Sequence, residues 1–529
     1  MPHFLLLAAT LLLLTNDGQA TRYHVNANAT GSATGQDWTN AFTNLQEALS
    51  VVVPGDAIWV ATGQYRPTSG TNRTISFQLR NGVDLYGGFA GTETSIGERD
   101  LMANITVLNG DIGEPGSSAD NSHRVVTASN INTTIVLDGF RIMNGYSASD
   151  SSYDGAGLNV QHALGGNLTV RNCTFVNNYN GGYGGAMYMA AADVTIERCS
   201  FVSNSAGTGG DGGAIYNGNN NGGRSRLRIS ECRFTNNSGR RGACLFAGLE
   251  FDELVIDRCS FTNNLSEYSI LDLDMTTVAS LINSRIIGNT VNGFSSNVLR
   301  VNASATSNTF SMVNCTVAHN YNLYVNTIQS EIIRAYGSGH VIANSILFGN
   351  TAYSGRQVSA NVNISHSIVL GGHANGTAIV DMDPLFNAPY TGTPANFDVD
   401  AYQYTLQSGS PGINSGANGL VPISSTMDLI GAPRIQAGTV DMGCYESDFS
   451  TDLPQTPTPS PGWYHDAGTN VIRITDVGSV TTGVVCIHDA GGRIVRQAGI
   501  AGNELILDLP AGLYLATHPE LGRLRFAVR

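Results

Sequence analysis

The stretch LTVRNCTFVNN (residues 168–178) decides how the chain folds, because it comes back. It returns as VTIERCSFVSN (194–204), LRISECRFTNN (227–237) and LVIDRCSFTNN (254–264). Looser copies follow as SLINSRIIGN (280–289), FSMVNCTVAHN (310–320) and HVIANSILFGN (340–350). Self-similarity at a period of 22 to 33 residues marks a solenoid. Within one copy Leu168 and Val170 alternate, the polar pair Arg171 and Asn172 interrupts, and Cys173 and Phe175 alternate again. Period-two alternation means a short strand with one buried face, so the polar pair marks a corner between two strands. The Gly-rich segments GGAMYM (184–189), GGAIYN (212–217) and RGACLF (241–246) supply a third strand that closes each coil. Coils then stack as parallel strands about 4.8 Å apart. The expected fold class is all-β, a parallel β-helix over residues 21–447.

In-register stacking turns each repeat position into a ladder. Cys173, Cys199, Cys232, Cys259 and Cys315 form one, with Ser284 and Ser345 in its gaps. Phe175, Phe201, Phe234 and Phe261 form a second, continued by Ile286, Val317 and Leu347. Asn178, Asn204, Asn237, Asn264, Asn289, Asn320 and Asn350 form a third. Amides stacked at a turn bond to each other and to the next coil, so this row reads as structural rather than as a ligand site.

The chain has 529 residues, a net charge of −14 and 62 glycines, and all 27 of its basic residues are arginine. An acidic balance without a basic run argues against nucleic acid or anionic membrane as partner. Missing lysine removes any amine base or Schiff base. Residues 1–20 read as a secretory signal, with an apolar run (4–14) too short to span a bilayer and a cut expected between Ala20 and Thr21. No other segment reads as a membrane span. Eight cysteines in an exported chain invite disulfides. Parallel side chains on stacked strands give a poor S–S torsion, so free buried thiols acting as small apolar groups are expected. Cys244 is assigned to the column of Met187 and Ile215. No cysteine or histidine spacing suggests zinc.

Thr43-x-x-Gln46 reads as a capping box opening an amphipathic helix, with Phe42, Leu45, Ala48 and Leu49 on its apolar face. Such a helix covers the exposed first end of a solenoid. The first coil is PGDAIWVATGQYRP (54–67), with Ile58 and Val60 inward. Polar loops leave the coil at 146–154 and 290–296, after the Asn column. Pro454, Pro457, Pro459 and Pro461 make 448–462 a stiff linker. Residues 463–529 read as a separate small β-sandwich-like domain of short alternating strands around glycine turns.

The opening PGDAIWVATGQYRP, the repeats GGA-(I/M)-Y and C-x-F-x-x-N, and the closing DPLF (383–386), SPGIN (410–414) and GAPRIQAGTVDMGCYE (431–446) resemble known proteins. They are similar to the right-handed parallel β-helix proteins of the pectin-lyase-like superfamily. The repeats resemble in particular a bacterial surface group and are also seen in chlamydial polymorphic outer membrane proteins, and the opening and closing segments resemble the choice-of-anchor domain of many secreted bacterial proteins. The resemblance covers 23–446 and implies the fold but no single activity. Residues 463–529 resemble the C-terminal sorting domain of the type IX secretion system of Bacteroidota. The motif residues are Gly492, Arg493, Pro510, Ala511, Gly512 and Tyr514, followed by a basic final strand. That family usually ends in lysine, where this chain has Arg523, Arg525 and Arg529. The resemblance implies the type IX machinery as partner, export across the outer membrane, and release or attachment at the cell surface.

The superfamily includes polysaccharide lyases and glycoside hydrolases. A lyase needs an Arg or Lys base, often beside Ca²⁺ held by carboxylates, and composition leaves only arginine. A hydrolase needs two close carboxylates, and the polygalacturonase-like pattern with a GHG loop is absent. Stacked before the cysteine column stand Asn172, Arg198, Glu231, Arg258 and Asn283, and one position earlier Arg171, Glu197, Ser230 and Asp257. Their signs alternate, which predicts solvated pairs worth roughly 0.2–1 kcal/mol each rather than a site. Asp381, Asp383, Asp398, Asp400, Asp428, Asp441 and Glu446 gather near the end of the stack. They read as turn caps in preference to a Ca²⁺ site. No catalytic or cofactor-binding residue is assigned. The expected role is a secreted or surface β-helix without catalysis: an adhesin, glycan binder or spacer. The alternative is a lyase-type enzyme or hydrolase acting on a glycan. Arginines with two or more carboxylates on one lateral groove would mark the enzyme; a flat face rich in Asn, Ser and Thr would mark the binder.

Overall fold

The computed structural model describes residues 20–448 except 149–153, 219–224, 249–250, 276–277, 304–307, 325–330 and 391–400. Beyond these it describes 462–466, 471–475, 484–489, 493–499, 504–506, 508–518 and 522–528. The expected signal segment up to residue 19, linker residues 449–461 and Gly492 lie outside the described residues. Residues 1–449 and 450–529 form two compact units.

The first unit is the parallel β-helix that the repeats predict, with the right hand that the resemblance implies. On the first face Leu168 pairs in register with Val194, Leu227, Leu254, Ala279 and Phe310 of successive coils. On the second face Phe175, Phe201, Phe234 and Phe261 stack with ring centroids 4.7 to 5.0 Å apart, then give way to Ile286, Val317 and Leu347. On the third face Leu158, Met187, Ile215, Leu245, Leu271, Leu299 and Ile333 point inward. Cys244 therefore stands beside the column of Met187 and Ile215, not in it. The left-handed glycine that starts this strand is Gly184, Gly212 and then Gly242, so the third copy runs one residue later than its sequence suggests.

Each corner is a single left-handed residue. Between the first and second faces it is Gly139, Asn172, Arg198, Glu231, Arg258, Asn283, Asn314, Asn344 and His366, with φ from +45° to +84°. Between the second face and the Asn column it is Asn177, Ser203, Asn236, Asn263, Gly288, His319 and Gly349. Asn and Gly adopt this backbone readily; other residues there carry strain of roughly 1–2 kcal/mol.

The cap is α1 (Leu45–Val51), whose Leu45, Ala48 and Leu49 are buried over the first coil. Its N-cap is Asn44, not Thr43: Asn44 Oδ1 accepts the Gln46 N–H at 2.9 Å. The expected capping box does not form, because the Gln46 amide instead satisfies the carbonyls of Pro67 and Ser76 at 2.9 and 3.0 Å. At the other end the chain leaves the coil and runs back along the outside of the second face. A hairpin (Phe386–Ala388 with Gln403–Leu406) joins Tyr390, Met442, Cys444 and Tyr445 in burying the outward residues Ile287, Ala318, Ile346 and Ile368.

In the second unit Gly462–Asp466, Val471–Thr475 and Glu504–Ile506 make one antiparallel sheet. Ile494–Gly499, Val484–His488, Gly512–His518 and Gly522–Val528 make another. Ile472 and Leu505 from the first share one core with Val485, Ile487, Ala516, Phe526 and Val528 from the second.

Candidate functional site

The inward columns are occupied by their own bonding. Each Asn of the third ladder gives its Nδ2–H to the next Asn Oδ1 at 2.9 to 3.0 Å, from Asn178 as far as Asn350. The same oxygen also accepts the backbone N–H of the preceding Asn. Asn350 Nδ2 ends the row on Gln357 at 2.9 Å. In the cysteine column the thiols are more than apolar filler. Cys173, Cys199, Cys232, Cys259 and Cys315 each point Sγ at the carbonyl two residues earlier, at 3.2 to 3.3 Å. The Cys173 and Cys199 N–H groups donate to the thiol of the next coil, both at 3.4 Å. Ser284 and Ser345 do the same with hydroxyls. Burial pushes the Cys173, Cys199 and Cys232 thiols far up, so they stay protonated donors.

The charged corner rows also pair internally. Arg258 reaches Glu231 at 2.8 Å and its neighbour Asp257 at 3.3 Å. Arg198 turns to Glu197 and to Asn172. Arg171 and Arg99 both bond Asp138, at 2.9 and 3.0 Å, with the Asn172 amide at 2.8 Å. Burial alone would raise the Asp138 carboxyl, but the bonds from Asn172, Arg99 and Arg171 outweigh it and hold it below the usual range. The sequence reading missed Asp138, although it occupies the same repeat position as Arg171.

Two lateral surfaces fit the two signatures set out from sequence. On the third face the outward row runs Tyr188, Tyr216, Phe246, Asp272, Arg300 and Arg334. Arg300 bonds Asp272 at 2.7 Å and Asp274 at 3.3 Å, and Ser269 donates to Asp272 at 2.7 Å. Nearby, Arg240 and Arg241 clamp Asp211, and Arg334 bonds Glu331. Asp272 is fully buried, and burial raises its pKa against the pull of Arg300. Every one of these carboxylates is held by arginine.

The second surface carries an uncharged column. The residue after each ladder Asn continues as a parallel row, Tyr179, Ser205, Ser238, Leu265, Thr290, Tyr321 and Thr351, preceded by Tyr146 after Gly145. Its side chains face outward at the strand-stacking interval, with Leu265 48% exposed, as far as Tyr321, which packs against the returning C-terminal segment. Tyr146 and Tyr179 stack at 4.9 Å, and the Ser205 and Ser238 hydroxyls bond at 3.0 Å. A groove of about 440 Å³ lies over this row, lined by Tyr179, Ser205, Gly207, Ser238, Gly239 and Leu265 of the row and its turns and bordered by the charged residues Arg240 and Glu267. The small lining residues keep it open, while the ring and hydroxyls offer stacking and hydrogen bonding together.

Asp428 accepts the N–H groups of Ile430, Ala432 and Glu446; Asp441 accepts those of Asn414 and Ser447; Asp381 and Asp383 accept those of Gly371 and Leu385. Asp398 and Asp400 lie outside the described residues. Among the described residues no group of three His, Cys, Asp or Glu is placed to hold a metal, and no helix is long and apolar enough to cross a membrane. At the expected cleavage position Ala20 is exposed, and the Thr21 N–H bonds Asp56 at 2.9 Å where the first strand begins. In the second unit Arg493 pairs with Asp489 at 3.2 Å, and Tyr514 donates to the Pro510 carbonyl at 2.8 Å across the turn holding Ala511 and Gly512.

Residues 26–234 match a family described as a protein of unknown function, DUF1565. No curated protein matches. Among solved structures the chain is similar to the pectate lyase Pel9A, at 14% identity over 81% of this chain and 97% of that one, with a TM-score of 0.44. It is also similar to a rhamnogalacturonan lyase, at 13% identity over 66% of this chain and 87% of that one, with a TM-score of 0.36. Likenesses this distant say nothing about what this chain binds.

Proposed function

We propose that the chain is an exported, non-catalytic β-helix that binds polysaccharide through the uncharged row following the Asn ladder. The observation that carries this is the column from Tyr146 to Thr290: coil after coil, its own residues offer a hydroxyl, a ring or an apolar side chain and no charge. A polymer of pyranose rings presents the matching alternation of apolar faces and hydroxyls, and a rigid linear row suits a linear ligand. Export by the type IX route, with loss of the C-terminal unit and residence at the cell surface, is part of the same proposal. It is supported by the apolar run of residues 4–14 and the sorting-domain resemblance.

The test is binding of the full chain to a panel of neutral and acidic polysaccharides, reading bound fraction and new reducing or unsaturated ends together. Tyr179→Ala with Leu265→Ala is expected to weaken binding at least fivefold with no new chain ends. Unimpaired binding by that variant would sink the reading. Sequencing the amino terminus of surface material tests export, with Thr21 expected first.

A second reading, a lyase or hydrolase, is favoured by the Asp272, Asp274 and Arg300 group on the third face. Turnover that vanishes in Asp272→Asn would establish it.

A further inference from the structure

The segment that runs back along the second face does not lie flat. Between it and the coils is a cleft of about 500 Å³, lined on the coil side by Arg233, Arg258, Arg285, Ser260 and Glu231 and on the other by Tyr445, Leu429 and Ile430. Three guanidinium groups and one carboxylate meet there, in a chain whose net charge is −14. Arg233 and Arg285 occupy one outward column, separated by Ser260, so they stand two coils apart, about 9.6 Å.

The three arginines differ in how far they are committed. Arg258 is tied to Glu231 and Asp257. Arg285 is oriented by Ser260 Oγ at 2.7 Å and the Tyr445 hydroxyl at 3.1 Å, which leaves part of its planar fork toward the cleft. Arg233 is exposed, and among the described residues its side chain meets no partner. Elsewhere on the β-helix the arginines singled out above bond carboxylates. A free guanidinium beside a pre-oriented one, opposite an apolar wall, is the arrangement that recognises an oxyanion carried on a ring.

We propose that this cleft is a second saccharide site, taking a sugar that bears an oxyanion, either a carboxylate or a sulfate ester, between Arg233 and Arg285. Leu429 and Ile430 cover the face of the sugar ring, and Ser260 and Tyr445 orient the bound arginine. The proposal rests on the glycan-binding reading for its ligand class, but it uses none of the residues of the uncharged row.

The experiment measures binding of the full chain to polygalacturonate, dextran sulfate and dextran at low and high salt. The anionic polymer that fits is expected to bind with an affinity that falls steeply as salt rises. Arg233→Gln, at a side chain that holds nothing else in place, is expected to weaken that binding about tenfold. Preference for polygalacturonate identifies a carboxylate, and preference for dextran sulfate a sulfate ester. Equal binding by Arg233→Gln and the parent chain, or anionic polymers bound no better than dextran, overturns the proposal while leaving glycan binding standing. Binding to no polysaccharide overturns both.

Discussion

Asn204 Oδ1 accepts two hydrogen bonds from Asn178, one from its side-chain amide at 3.0 Å and one from its backbone N–H at 3.1 Å. Every interior member of the row repeats this double contact while fully buried. Truncating one member orphans two donors on the coil before it and a carbonyl it had satisfied. Asn237→Ala is therefore expected to cost about 3–5 kcal/mol. Equilibrium denaturation of the variant measures the loss.

The cysteine column makes a different prediction, since its thiols donate and accept. Cys232→Ser keeps both roles and is expected to stay within about 1 kcal/mol of the parent chain. Cys232→Ala removes both and is expected to cost about 1–2 kcal/mol. If Ala were tolerated as well as Ser by thermal melting, the thiols would be packing groups only.

Ser203 occupies a left-handed corner at φ +54°, where the same position in other coils is Asn177, Asn236 or Asn263. Its side chain is exposed. Ser203→Asn is expected to stabilise by roughly 0.5–1 kcal/mol, and Asn236→Val to destabilise by more than that. Chemical denaturation midpoints decide both.

Burial raises the Glu446 carboxyl to about 7, against the pull of Arg434 beside it. The folded chain then holds this proton better than the unfolded chain does. Its stabilising contribution is complete below the ordinary glutamate range and is lost as pH rises through about 7. Melting temperature followed from pH 5 to pH 8 is expected to drop more in the parent chain than in Glu446→Gln. Equal slopes would show that Glu446 is ionised throughout.

What could be read from sequence was whatever recurs. Phe175, Cys173 and Asn178 return with the same neighbours, and stacking alone fixes where they go. Cys244 misled because the left-handed glycine, not the alanine after it, sets the start of the third strand. Gln46 misled because its amide had a better use: carbonyls of residues 67 and 76, far away in sequence. The uncharged row sat in plain view after each Asn. Yet Tyr, Ser, Leu and Thr share no identity to flag, and only the parallel pairing shows them as one surface. The arginine cleft was further out of reach, since Arg233 and Arg285 become neighbours of Tyr445 only when the chain doubles back along the second face.

The Asn row also has a polarity. All six amide links donate from the earlier coil to the later one. Their dipoles add along the axis, and each finished coil leaves an unsatisfied N–H facing the place where its successor must dock. The row's polarity thus runs from the amino end in chain order, and Gln357 takes the last donor from Asn350. A glutamine outside the repeat thus closes the amide chain while the strands themselves pair on through Asn363–Val369 and Gly376–Val380.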